Sequence, residues 1–489
     1  LSGLQRSSIA FFLGLAGVLG LAPFAFWPVP IIAVALFFLL CQKQAPRALF
    51  RLGFFFGFGY FIASVSWIYV SLHTFGGMPA ILAGVVTFFF CAFLGCFPGL
   101  AVYIAAIADR KQQSFFAYPL CWTAAEWLRG FLLTGFPWAL IGYAQVPDGP
   151  LAPLAPIGGI YLLSLLTIMS AQALFLLVTR RSWQKPWLFF LILAVVSFVS
   201  SKIHWTEPGA LKTIALVQGN VSQDIKWNPA HSAETLERYA SLIEKSQASI
   251  IITPESAFPI FWNQLPPSYL ERLLRHAKAK HADILLGVVE YENEEFYNSL
   301  VSIGVSGTQI YRKVHLVPFG EYVPWRPLTQ WFMNLVDIPL TDFLAGEKNQ
   351  PPLFIQGLKM APNICYEDVF PEELISRAKV ANFLVNISND AWFGDSFAPF
   401  QHLQIAQARA LEFAKPLLRV TNMGPSAFID KKGQIIASIP YGKTGVLHHQ
   451  LAGHEGTTPY ALWGNAPVVI LLLLWSCGQI CGYLRKICG

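Results

Sequence analysis

The chain has 489 residues, of which 54% are hydrophobic and only 13% are charged. A soluble domain of this size carries about a quarter charged residues, so a wholly soluble protein is excluded. The formal net charge of +6 would suit a nucleic-acid partner, but the placement of the charges argues against one.

Charges are sparse before Trp205, ordinary from Thr206 to about Glu455, and absent from Ala466 to Leu484. This reads as a membrane block, a water-facing block and a final anchor. Apolar segments keep recurring over the membrane block, which argues against a cleaved leader. About eight candidate spans approach the ~20 residues that cross a bilayer. They are Ser8–Phe26, Trp27–Cys41, Leu52–Ser71, Ile81–Ile107, Phe115–Leu133, Ile157–Val178, Trp187–Ser201 and Ala466–Leu484. With the N-terminus inside, Arg6, Lys43, Arg47, Arg51, Arg110, Lys111, Arg180, Arg181, Lys185, Arg485 and Lys486 all fall on one side. The opposite connections, Leu72–Ala80 and Thr134–Pro156, contain no Lys or Arg. This positive-inside bias places the water-facing block outside the cytoplasm. Glu126 and Arg129 stand three apart within an apolar span and share a helix face turned to the protein interior, as an ion pair or a headgroup contact.

From Leu211 onward, short β-rich runs alternate with helical stretches. Strands are expected at Thr213–Val217, Ser249–Thr253, Ile284–Val289, Leu300–Ile303, Met360–Cys365 and Phe383–Ile387, and near Leu417–Thr421 and Ser426–Ile429. Helical periodicity marks Ala233–Lys245, Pro267–Ala279, Pro371–Ala378 and Phe400–Phe413. Asp430-Lys431-Lys432-Gly433 reads as a hairpin turn. The alternation predicts an α/β domain with sheets packed between helix layers.

Seven of the 8 cysteines lie in or beside apolar spans, where thiols pack as small hydrophobes. The water-facing block holds only Cys365, so it has no internal disulfide framework. Three expected strand ends carry chemistry. Thr253-Pro254-Glu255 delivers Glu255, the run from Tyr311 to Glu321 delivers Lys313 and Glu321, and Ala361–Asp368 delivers Cys365. Together they meet the needs of acyl transfer through a thioester. Cys365 is the nucleophile, Glu255 its base, and Lys313 neutralises the oxyanion. Each residue also has a plain alternative as a packed thiol, a cap and a solvated lysine. There is no Gly-x-Ser-x-Gly elbow for a serine hydrolase. His448, His449 and His454 read as surface residues rather than metal ligands, since strand neighbours point to opposite faces.

Further segments complete a pattern: Glu126–Gly130, Gly135–Trp138, Val217–Asn220, Leu316–Pro324, Cys365–Glu367, Ser388–Asp395, Gln401–Leu403 and Arg419–Asn422. In the order Glu, Lys, Cys the chain resembles the nitrilase superfamily of carbon–nitrogen hydrolases. Over its whole length it resembles the apolipoprotein N-acyltransferase family of the bacterial inner membrane. The resemblance implies a multi-pass helical membrane domain over 1–205, an αββα nitrilase-like catalytic domain over 206–455 facing the periplasm, and a linker with a last helix over 456–489. Both termini would be cytoplasmic. It implies transfer of a fatty acyl chain from a phospholipid, typically phosphatidylethanolamine, to Cys365. The α-amine of a diacylated apolipoprotein would then take it. No cofactor or metal is implied, because an ester is already activated. Membrane lipids are partners, nucleic acid is not, and a monomer is expected. The family's supporting residues correspond to Glu321, Glu367, Tyr366 and Trp227, with Trp138 a candidate for lining the lipid entrance. Pro425 and Asn465 depart from the pattern and leave local loop geometry open. An anchored amidase using the same triad, or a membrane transporter with an exported sensor domain, remain the alternatives.

Overall fold

A computed structural model of the chain describes residues 1–109, 114–179, 183–327, 329 and 342–488, the stretch 480–488 as backbone. Arg110, Lys111, Arg180 and Arg181 of the charge pattern lie outside the described residues, as do the side chains of Arg485 and Lys486. The chain forms two units. One takes Leu1–Ser66, Gly84–Ile203 and Trp463–Gly489, and the other takes Trp67–Ala83 and His204–Leu462.

Helices stand at each expected apolar stretch: Gly3–Gly17, Pro28–Cys41, Pro46–Val65, Ala80–Ala108, Ala117–Arg129, Ala155–Val178, Gln184–Lys202 and Ala466–Cys488. Among the described residues, 5 are long and apolar enough to cross a membrane. The expectation over Phe115–Leu133 is corrected. The helix there covers 13 residues, Ala117–Arg129, only about 20 Å at 1.5 Å per residue. The chain turns away through left-handed backbone at Leu133 and Gly135. Arg129 Nη1 donates to the Phe136 and Trp138 carbonyls at 2.5 and 2.7 Å, and Glu126 Oε1 accepts from Ile141 N at 3.0 Å. These two charges therefore hold the returning segment. Within this unit the Ala152–Val178 segment is 78% buried and Gln184–Lys202 only 17%. The latter leaves Leu191 and Phe198 mostly exposed, an apolar face that water disfavours and hydrocarbon accepts.

The second unit contains strands β1 (Thr206–Gln218), β2 (Ile250–Ile252), β3 (Asp283–Glu292), β4 (Glu295–Gly304), β5 (Gln309–Arg312), β6 (Leu353–Ile355), β7 (Leu358–Ile364), β8 (Phe383–Ser388), β9 (Leu417–Thr421), β10 (Ser426–Ile429), β11 (Ile435–Ile439) and β12 (Gly445–Gly456). They make two six-stranded sheets, ordered β12-β1-β2-β3-β4-β5 and β11-β10-β9-β8-β7-β6. Alternate side chains face opposite ways along a strand, and the core follows that rule. Ile214, Leu216, Ile250 and Ile252 of one sheet meet Met360, Val385, Ile387 and Val420 of the other. Their neighbours Ala215, Val217 and Ile251 face Tyr239, Ile243, Leu273 and Ala277 on the helices Pro229–Glu244 and Pro267–Ala279. On the far side, Leu384 and Leu417 meet Leu374, Ala406 and Ala410 on Pro371–Ala378 and Ala398–Phe413. The layers run αββα.

The four strands without a predicted range are β5, β6, β11 and β12, which form the four sheet edges. Edge strands bury one side only and carry polar residues, so their apolar pattern is weak. The expected Asp430–Gly433 turn joins β10 to β11, with Asp430 Oδ1 accepting from Lys432 N and Gln434 N, both at 2.8 Å.

One glycine sets how closely the Glu255 loop can lie on the sheet. A Cβ on Gly287, in β3, would meet the Pro254 carbonyl oxygen at 2.0 Å and Glu255 Cα at 2.9 Å. Gly287→Ala is expected to destabilise the unit by about 1–3 kcal/mol and to displace Glu255. A denaturant melt together with an activity assay checks this, and an unchanged melt would contradict the close packing.

Candidate active site

Three segments leave their strands at one end of the two sheets. Glu255 follows β2 after Thr253-Pro254, Lys313 follows β5 directly, and Cys365 follows β7 directly. Lys313 is 1% exposed and Glu255 is 6% exposed. The Lys313 ammonium lies 2.9 Å from Glu321 Oε1 and 3.4 Å from Glu255 Oε1. Burial alone would lower the lysine's pKa, but the Glu321 and Glu255 carboxylates outweigh it and hold it above the ordinary value.

Asn298 of β4 ties this pair together. Its Nδ2 donates to Glu255 Oε1 at 2.7 Å and to Glu321 Oε1 at 3.0 Å, and its carbonyl accepts from Lys313 N at 2.8 Å. The other carboxylate oxygens are also held. Glu255 Oε2 accepts from Asn389 N at 2.9 Å, and Glu321 Oε2 accepts from Val317 N at 2.8 Å.

Cys365 is half-buried and its backbone is left-handed, with φ 53°. Few non-glycine residues adopt that conformation unless their surroundings enforce it. Here they do. Glu367, in the turn Cys365–Val369, accepts from Ile364 N at 2.6 Å within its own loop. It also accepts from Val314 N at 2.6 Å and His315 N at 3.2 Å beside Lys313, and from Tyr311 Oη at 3.0 Å. One buried carboxylate thus staples the cysteine elbow to the lysine loop. Burial raises the Cys365 pKa well above the usual thiol value, the Glu255 charge raises it further, and Lys313 opposes both.

Beneath the elbow lies a fully buried ionic cluster. His402, from the helix Ala398–Phe413, has Nε2 at 2.9 Å from Asp368 Oδ1 and Nδ1 at 2.9 Å from Asp390 Oδ1. Arg419 of β9 donates to Asp390 Oδ2 at 2.8 Å and to Asn386 Oδ1 at 2.6 Å. Burial and Arg419 push the His402 pKa down, yet the two aspartates prevail and raise it to about 9. An imidazolium therefore bridges two carboxylates. The Cys365 carbonyl lies 3.2 Å from His402 Nε2 and accepts from Asn386 Nδ2 at 3.4 Å. Gly424 admits Asp390, since a Cβ there would meet Asp390 Oδ2 at 2.2 Å.

The remaining expected residues lie as follows. Tyr366 is buried, its ring 5.2 Å from Phe370 and 5.8 Å from His315. Trp227 is 44% exposed and caps the turn Gln223–Lys226. Trp138 belongs to the other unit and is 1% exposed. The surface reading of His454 is corrected. It is buried against Thr206, with Nδ1 and Oγ1 3.1 Å apart, because β12 pairs along the length of β1. His448 is exposed and approaches Ser246 Oγ at 3.0 Å. Pro425 sits in the turn between β9 and β10, closed by Thr421 N donating to Ser426 Oγ at 3.0 Å.

Residues 13–173 match the family profile described as Apolipoprotein N-acyltransferase N-terminal domain, and residues 213–458 match that of Carbon-nitrogen hydrolase. An apolipoprotein N-acyltransferase of Nitrosomonas europaea is 43% identical, with 99% of each chain aligned. The chain belongs to the apolipoprotein N-acyltransferase family. Another apolipoprotein N-acyltransferase, of Vibrio parahaemolyticus, is 37% identical over 96% of this chain and 97% of its own. Among solved structures, a CN-hydrolase superfamily protein of Xanthomonas campestris is 20% identical, covers 50% of this chain and 91% of its own, and has a TM-score of 0.39.

In this N-acyltransferase-family chain, Asp390, His402 and Arg419 stood in the sequence only as members of the segments that carry the resemblance, and Asn298 and Asp368 were given no role. Arg419 did leave a signal, a charge inside the apolar run Leu417–Val420. The raised pKa of His402 gives a pH test. Its stabilising contribution is full below the ordinary value of 6.5 and is lost as pH rises through about 9. The stability gap between wild type and His402→Gln should shrink over that range by about 2–3 kcal/mol. Denaturant melts across pH check it, and a gap independent of pH would contradict the bridging imidazolium.

Proposed function

We propose that the protein N-acylates the diacylglyceryl-cysteine at the N-terminus of bacterial apolipoproteins, through a thioester on Cys365 and with phospholipid as acyl donor. The observation that carries this reading is the Lys313 ammonium, buried between Glu255 and Glu321 beside a left-handed cysteine, in a chain of the N-acyltransferase family.

The raised pKa of Cys365 means the resting group is a thiol, so its proton leaves as attack begins. Glu255 takes that proton while sulfur bonds to the ester carbonyl carbon of the phospholipid. Lys313 meets the developing oxyanion. When the C–O bond breaks, Glu255 returns the proton to the departing alcohol and a lysophospholipid is released. The α-amine of the apolipoprotein then attacks the thioester and gives a proton to Glu255. The C–S bond breaks, and the thiolate recovers the proton. Glu321 and Glu367 act by holding Lys313 and the Cys365 elbow. Trp227 and Tyr366 offer amphipathic rings to lipid. Phosphatidylethanolamine is the proposed donor, and the acting form is a monomer.

The proposed setting is the bacterial inner membrane, with both termini cytoplasmic and the catalytic unit periplasmic. The segment Trp67–Ala83 supports this orientation. It holds the connection without Lys or Arg and packs within the catalytic unit. Ser71 Oγ donates to the Trp392 carbonyl at 2.8 Å, and the Trp67 and Phe393 rings are 4.8 Å apart.

Intact-protein mass spectrometry after exposure to phosphatidylethanolamine should show one fatty-acyl adduct on the wild type and none on Cys365→Ala. A diacylated lipopeptide should discharge it. Glu255→Gln should slow adduct formation by about 100-fold or more. An adduct discharged by water alone would indicate an anchored amidase instead, and no adduct on the wild type would sink the acyltransferase reading.

A further inference from the structure

The site holds a second lysine that the mechanism above does not use. Lys226 ends the short turn Gln223–Lys226 and is only 2% exposed. Its Nζ donates to the backbone carbonyl of Glu255 at 3.3 Å, its one hydrogen-bond acceptor among the described residues. An ammonium has three N–H donors, so two have no protein acceptor there. Burying such a group without a carboxylate costs several kcal/mol, and a leucine or methionine would fill the space without that cost. Two lysines thus bracket one glutamate, Lys313 at its carboxylate and Lys226 at its backbone carbonyl.

The charge around the nucleophile explains why a second cation belongs there. With Glu255 and Glu321 ionised, Lys313 alone leaves one negative charge uncompensated beside Cys365, where attack must build up more. Lys226 restores neutrality. The charged or titratable groups facing it are Glu255, on the loop after β2, and Cys365, on the elbow after β7. Asp224 on its own turn is exposed.

Resting on the acyl-transfer reading, we propose that Lys226 is a positioning and charge-balancing residue of the active site. Anchored to the Glu255 carbonyl, its ammonium offsets the two carboxylates around Lys313 and eases the build-up of negative charge at Cys365. Burial pulls its pKa down to about 8, with Glu255 and Cys365 resisting the fall. The balancing charge is therefore present at neutral pH and is lost as pH rises through about 8.

The test uses the full-length protein in detergent and two readouts across pH 6–10, on wild type, Lys226→Gln and Lys226→Arg. The first is acyl-enzyme formation from phosphatidylethanolamine. Wild type should lose rate above about pH 8, and Lys226→Gln should be ~10–100-fold slower at pH 7 and lack that limb. In Lys226→Arg, which keeps its charge, the limb should move upward. The second is iodoacetamide alkylation of Cys365, followed by peptide mapping, which needs no acyl transfer. At pH 7, where Lys226 carries its charge, alkylation should be slower in Lys226→Gln than in wild type and return toward wild type in Lys226→Arg. Lys226→Gln rates within twofold of wild type, with the same limb and the same alkylation rate at pH 7, would overturn the proposal. Should Lys226→Gln fail to fold, the arginine variant decides, and a limb left at the wild-type pH would overturn it. A wild type that takes up no acyl group would defeat the acyltransferase reading, while the alkylation profiles still judge Lys226.

Discussion

An ammonium withdrawn from water must meet opposite charge or lose its proton, and the site depends on how that demand is met at Lys313. At 1% exposure the lysine stays charged only because Glu321 and Glu255 both face it. Each carboxylate in turn needs its remaining acceptor positions filled, by Asn298, Asn389 N and Val317 N. The requirement therefore spreads outward. A strand from one sheet supplies Asn298, and a loop beyond the other sheet supplies Asn389. Both sheets therefore contribute to the shell around the lysine's carboxylates.

The cysteine elbow has a parallel arrangement. Its left-handed backbone is kept by Glu367 in front and by the His402, Asp368, Asp390 and Arg419 cluster behind. Both groups of ions lie in surroundings where charge–charge forces are strong and rearrangement is costly. The Cys365 elbow is consequently held in a fixed position. Fixed dipoles and charges aimed at the place where charge develops need little reorganisation during reaction.

The central strands, and the residues that stand at their ends, were legible in the sequence because strand ends announce themselves. Glu255, Lys313 and Cys365 each stand just past a β run, where a rigid sheet presents a side chain. The four edge strands were not legible, since one-sided burial leaves a weak alternation. His402 stood in a matching segment, but its role was hidden for a different reason. On the helix Ala398–Phe413 it reads as one polar residue among packed ones, and its meaning appears only when Asp368, Asp390 and Arg419 arrive from three other elements. Lys226, beside Trp227, drew no reading from the sequence, since its burial shows only in the fold.

The second unit is discontinuous in the chain. Trp67–Ala83 precedes the rest of it by more than a hundred positions, yet belongs with His204–Leu462. Its Ser71 and Trp67 meet the Trp392-Phe393 turn, which follows directly on the Asn389-Asp390 pair that steadies Glu255 and His402. A continuous stretch cut out at the obvious boundaries would leave that turn without its support. Unlike a module built from one uninterrupted stretch, this unit shares its chain in two places with the apolar helices, so an exchange of anchors would have to carry Trp67–Ala83 with it.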